Sequence, residues 1–108
     1  MPGRVSTRRQ FAEFARPTGR GQSGSLRIVF VEHSDQGSCD VAFAISRKVG
    51  NAVVRNRIRR RLRALMDGLS PAPRPGLYLI KCANGTGQLP YDELQTHLQT
   101  ALAKAHAR

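Results

Sequence analysis

The sequence predicts an α+β sandwich in which helices pack on one sheet, in the order helix, two or three strands, helix, strand, helix. Three observations predict it. Residues 26–32 (LRIVFVE), 40–46 (DVAFAIS) and 77–82 (LYLIKC) are short runs rich in β-branched and aromatic residues, as strands are. Val54, Ile58, Leu62, Leu65 and Leu69 recur at spacings of four, four, three and four, the stripe of a helix with one apolar side. Tyr91, Leu94, Leu98, Ala101, Leu102 and Ala105 repeat the pattern near the C-terminus. At 108 residues, the chain is expected to be one domain over 1–108, with residues 1–5 flexible.

Taken in order, 6–15 (STRRQFAEFA) reads as a short helix, with Thr7 and Gln10 spaced as a capping box and Phe11, Phe14 and Ala15 on one side. Residues 16–25 hold the Gly, Pro and Ser of a loop with room for a short edge strand. The polar HSDQGSC between the first two long strands suggests an antiparallel pair. Gly50-Asn51 opens the long helix, Asn51 being a good cap, and the prolines of 70–76 end it. The strand at 77–82, a turn and a final helix over 91–107 complete the chain.

Charge narrows the function. Eighteen Lys and Arg face seven acids, a net charge of +11, and fifteen of the cations are arginine. The planar guanidinium suits phosphate and stacks on bases, so nucleic acid is the favoured partner, although a high-GC genome also inflates arginine. Seven cations fall within 48–65: Lys48, Arg55, Arg57, Arg59, Arg60, Arg61 and Arg63. At 100° per residue, Asn56, Arg60 and Arg63 point away from the apolar stripe. Arg55 and Arg59 flank one side, and Arg57 and Arg61 the other. A solvated face would need acids nearby, and the helix has none before Asp67. Phosphate is the commonest anion able to use such a face.

Other chemistry is sparse. The acids and His33, His97 and His106 form no close constellation for metal or acid–base work, so neither catalytic nor metal-binding residues are predicted. Cys39 and Cys82 have neither a disulfide nor a metal-ligand spacing and read as free thiols of a reducing compartment. No apolar run is long enough to span a membrane, and MPGRVSTRRQ lacks the apolar core of a signal peptide, so a cytoplasmic location is expected.

The stretch GNAVVRNRIRRRLR resembles the signature of the bacterial ribonuclease P protein subunit, in which an R-N-R core opens a basic helix. Here that core is Arg55, Asn56 and Arg57, followed by Arg59, Arg60 and Arg63, and the preceding AISRKVGNAV is similar to the family's strand-to-helix passage. The resemblance is strong over 44–63 and loose elsewhere. It implies an αβββαβα fold on a four-stranded mixed sheet, with a left-handed βαβ crossover through the basic helix against the general rule. It further implies an endoribonuclease whose chemistry lies in the RNA subunit and the Mg²⁺ that subunit holds. The protein would bind that catalytic RNA through Arg47, Lys48, Asn51, Arg55, Asn56, Arg57, Arg59, Arg60, Arg61 and Arg63, with no further protein partner required. A cleft beside the first helix would hold the single-stranded 5′ leader of precursor tRNA, with Phe11, Phe14, Ile28 and Phe30 as candidate lining. Core packing is the competing reading for these apolar residues. A ribosomal-type RNA-binding protein without an enzymatic role explains the charge but not the R-N-R helix. A helix lying on acidic membrane conflicts with strands on both sides that need its apolar stripe.

Overall fold

The computed structural model describes residues 3–4, 8–33 and 39–107. The Thr7 cap and most of the turn expected after His33 lie outside them, as do Met1, Pro2 and Val5 of the 1–5 stretch. Strands β1 (Gly3–Arg4), β2 (Gly19–Ser23), β3 (Leu26–Glu32), β4 (Cys39–Ile45) and β5 (Gly76–Cys82) alternate with helices α1 (Arg8–Ala12), α2 (Ala52–Asp67) and α3 (Tyr91–His106). The sheet runs β1-β4-β5-β3-β2. Its four long strands are the predicted mixed sheet, and β1 adds a two-residue parallel rung, Gly3 opposite Asp40 and Arg4 opposite Val41.

One pairing departs from the expectation. β3 and β4 do not pair with each other, because β5 lies between them, antiparallel to β3 and parallel to β4. Both flanking strands need a partner apolar on both sides. Of the seven residues of β5, Gly76, Leu77, Tyr78, Ile80 and Cys82 are buried, which makes it the natural centre.

The sheet separates two apolar clusters. Leu26, Ile28, Phe30, Val41, Ile45, Tyr78 and Ile80 face α2 and α3, where they meet Ile58, Leu62, Leu65, Met66, Leu94, Leu98 and Leu102. On the other face Val31, Ala42 and Leu77 are covered by Phe14 and Leu79. Phe14 belongs to a 3-10 turn, Glu13–Ala15, that continues α1. This turn is tied to the sheet by Glu13, whose Oε1 lies 2.8 Å from His33 Nε2. Helix α3 sits so close to β2 that a Cβ on Gly19 would meet the Ala105 carbonyl oxygen at 1.8 Å. The small side chains of β2 are what permit that approach.

A polar knot closes the end of the core. The Tyr78 hydroxyl donates to the Arg74 carbonyl at 2.6 Å and lies 2.8 Å from His106 Nε2. With the Tyr78 proton so used, His106 Nε2 is the donor of the second bond. Arg74 reaches Glu32 at 3.3 Å, donates to the His106 carbonyl, and lies over the Phe30 ring at 5.5 Å. Burial foremost, then the Arg74 charge, lower the His106 pKa below its ordinary 6.5, with Glu32 opposing. A histidine kept neutral by the fold is protonated more readily in the unfolded chain, so stability is complete above about pH 6.5 and declines as pH falls below it. The melting temperature should therefore drop between pH 7.5 and pH 5.5 (roughly one unit either side of the imidazole range), and His106→Asn should flatten part of that drop. A slope unchanged by the substitution would assign it to other groups.

Candidate RNA-binding surfaces

Two basic surfaces lie on opposite sides of the sheet. The first is α2. Asn51 Oδ1 accepts from Val54 N at 3.0 Å and its carbonyl from Arg55 N at 2.9 Å, so the cap fixes where the helix starts. With Ile58, Leu62, Leu65 and Met66 buried, the helix is pinned and its cations are displayed on the remaining arc. Arg60 and Asn56 are exposed, as expected; Arg63, expected to point outward with them, is instead half-buried against Phe43, and Arg55, Arg57, Arg59 and Arg61 are half-buried flanks. Arg47 and Lys48 extend the surface from the 3-10 turn before the helix, and both are exposed, as is Asn51.

Arg57, Arg59, Arg61 and Arg63 are held by neutral groups. Arg59 donates to Asn56 Oδ1 at 2.9 Å, so the asparagine of the R-N-R core positions an arginine one turn on. Arg57 Nη2 donates to the Gly87 carbonyl at 3.2 Å. Arg63 lies over the Phe43 ring at 5.2 Å and Arg61 over Tyr91 at 5.9 Å. The contacts Glu13–His33 and Glu32–Arg74 both lie away from α2. With no ion-pair partner for them among the described residues, the α2 arginines leave their charge open to an outside anion.

The second surface is an open cleft of about 390 Å³ on the other face, lined by Phe14, Arg20, Arg27, Val29, Leu79 and Lys81 among others. Arg27 and Lys81 stand directly opposite each other on β3 and β5. Like charges so placed repel, and neither has an ion-pair partner among the described residues. An aromatic beside unpaired cations is the composition that binds single-stranded nucleic acid.

The predicted lining is corrected here. Phe14 lines the cleft, and Phe11, 47% exposed, lies beside it with ring centroids 6.3 Å apart, but Phe30 belongs to the helical core at 0% exposure. Ile28 borders the cavity, yet its side chain too is buried in that core at 1%. Strand alternation gives the reason: residues 26, 28 and 30 share one face, so 27, 29 and 31 take the other. Arg20, Arg27, Val29, Leu79 and Lys81 were not expected in the cleft, nor Phe43 and Tyr91 beside α2. The cations at 27 and 81, polar residues set in otherwise apolar runs, were the available signal.

No group of three or more His, Cys, Asp or Glu that could hold a metal occurs among the described residues. Cys39 and Cys82 are free thiols, and burial pushes Cys82 up to about 12. No described helix is long and apolar enough to cross a membrane.

Comparison with known proteins agrees with this geometry. The family model for Ribonuclease P matches residues 2–106. The ribonuclease P protein component of Ruegeria pomeroyi is 36% identical over 110 residues, covering 95% of this chain and 88% of the relative. That of Gluconacetobacter diazotrophicus is 33% identical over 113 residues, covering 100% and 97%. The fold matches the Staphylococcus aureus RNase P protein with a TM-score of 0.80 at 17% identity, over 99% of this chain and 100% of that one. The Thermotoga maritima RNase P protein gives 0.78 at 15%, over 97% of each. With a basic helix on one face, a cationic cleft on the other and relatives of this kind along its whole length, the chain belongs to the ribonuclease P protein family, the protein part of a ribonucleoprotein endoribonuclease of tRNA processing.

Proposed function

We propose that the chain bridges two RNAs across its sheet, holding the ribonuclease P RNA on α2 and the 5′ leader of precursor tRNA in the cleft. The observation that carries this reading is the placement, on opposite faces of one sheet, of two cationic surfaces whose cations have no ion-pair partner among the described residues. Arg55, Asn56, Arg57, Arg59, Arg60 and Arg63, with Arg47, Lys48, Asn51 and Arg61 at the margins, screen phosphate repulsion within the catalytic RNA. Phe14 offers a ring to a leader base, while Arg20, Arg27 and Lys81 hold its phosphates. The Mg²⁺ that such a reaction uses is assigned to the RNA, where it would activate water and stabilise the leaving oxygen. The chain's own work is binding and positioning, in the cytoplasm. A ribosomal-type role is set aside because the relatives are ribonuclease P proteins from end to end.

Adding the purified chain to a bacterial ribonuclease P RNA at low Mg²⁺ should restore 5′ trimming of precursor tRNA. Arg60→Ala should weaken binding to that RNA and lower the salt slope by about one unit or less, as for one lost phosphate contact. Its melting temperature should hold, because Arg60 is exposed. Unchanged affinity and slope would leave α2 as a merely solvated helix.

A further inference from the structure

We infer that Tyr91 is a stacking platform for an unpaired base of the ribonuclease P RNA, carrying the interface of α2 across to the start of α3. That role presupposes that α2 binds this RNA, as proposed above. Three large apolar side chains are exposed among the described residues: Phe11, Val53 and Tyr91. Phe11 flanks the cleft on the far side of the sheet, but Val53 belongs to α2 and Tyr91 borders it. Tyr91, expected on the apolar side of its helix, is instead 45% exposed, whereas Leu94 and Leu98 are buried at 1% and 0%, so the core does not require this ring.

Its surroundings are those of a base site. The Arg61 guanidinium carbon lies 5.9 Å from the ring centroid, and the Arg57 bond to Gly87 ties this flank of α2 to the turn that leads into α3. With Arg61 over one side of the ring, the other face can take a base while the arginine meets its phosphate, and such a ring accepts any base. Asp92 and Glu93, both exposed, follow at once and repel a phosphate backbone. The RNA backbone therefore runs along the arginines, and only the base reaches over to Tyr91. Unpaired nucleotides are the part of a folded RNA that can do this.

The chain has no tryptophan, so Tyr91→Trp installs a single reporter. With a bacterial ribonuclease P RNA transcript added, its fluorescence should be quenched and shielded from acrylamide. Tyr91→Ala should weaken binding to the same transcript about ten-fold, within the range for one lost stack, while Tyr91→Phe retains it and both melt like the parent chain. A tryptophan equally accessible with and without the transcript would overturn the assignment, as would an alanine variant that binds as tightly as the parent. Shielding by precursor tRNA alone would overturn it too, and so would shielding that grows with protein concentration in the absence of RNA, the mark of self-association. Arg60→Ala measured alongside separates the two readings. If it weakens binding and Tyr91→Ala does not, α2 remains the RNA-binding element and the platform falls; if neither does, both fall.

Discussion

Gly21→Val should cost at least about 3 kcal/mol of stability, the upper range for overpacking against a partner that cannot yield. A Cβ at Gly21 would lie 2.0 Å from the Ala101 carbonyl oxygen, 2.7 Å from Ala105 N and 3.0 Å from the Ala101 carbonyl carbon. All three are backbone atoms of α3, so no side-chain rotation relieves the overlap. The helix must lift from β2, and with it go Leu94, Leu98 and Leu102, which it contributes to the core. For a domain of this size the melting temperature should fall by more than about 12 °C. Gly85→Ala is the control, because its φ is +97° but nothing lies within 4 Å of the added Cβ. It should cost only the left-handed backbone penalty, about 1–2 kcal/mol. Equal effects from the two substitutions would mean that α3 does not seat on β2 through these glycines.

Arg27→Glu should separate folding from leader binding, because the two respond in opposite directions. Lys81 faces Arg27 directly across β3 and β5, so the change turns a repulsive cross-strand pair into an attractive one. The melting temperature should stay level or rise. Affinity for precursor tRNA should nonetheless fall, about ten-fold or more at low salt, since one phosphate contact is lost and one repulsion gained. Mature tRNA lacks the leader and should be affected far less. Holoenzyme binding to the two tRNAs, measured at several salt concentrations, checks this. Equal weakening for both would remove the leader from the cleft, and a lower melting temperature would show that Arg27 has a structural duty instead.

These two sites also mark how far the sequence could be read. The long helix was legible residue by residue, because a polar arc and an apolar stripe leave one way to bury it, and Asn51 marks its start. Asn56 and Arg60 point outward by the same geometry, but Arg63 does not, because it folds over Phe43, a contact the helical spacing alone does not reveal. The parity of β3 was not legible. LRIVFV is apolar on both faces, so nothing in its own pattern says whether Ile28 and Phe30 or Val29 and Val31 look toward the helices. The register against β5 decides it, and that is a tertiary fact. Likewise the knot joining Tyr78, Arg74 and His106 spans up to 32 residues and has no local signature. Nor does spacing alone reveal that Arg61 meets Tyr91, thirty residues further on.

The place of β5 in the sheet has a consequence for how the chain is made. β3 and β4 leave the ribosome first, and each presents an open edge with no neighbour to close it on the side that β5 will fill. The gap persists until residues 76–82 emerge, after the whole of α2 has been synthesised. For most of its birth, then, the nascent chain carries a charged helix with no completed floor beneath it, and two sticky edges that other strands could capture. The heavy positive charge, usually read as a tool for gripping RNA, would meanwhile keep such unfinished chains apart from one another.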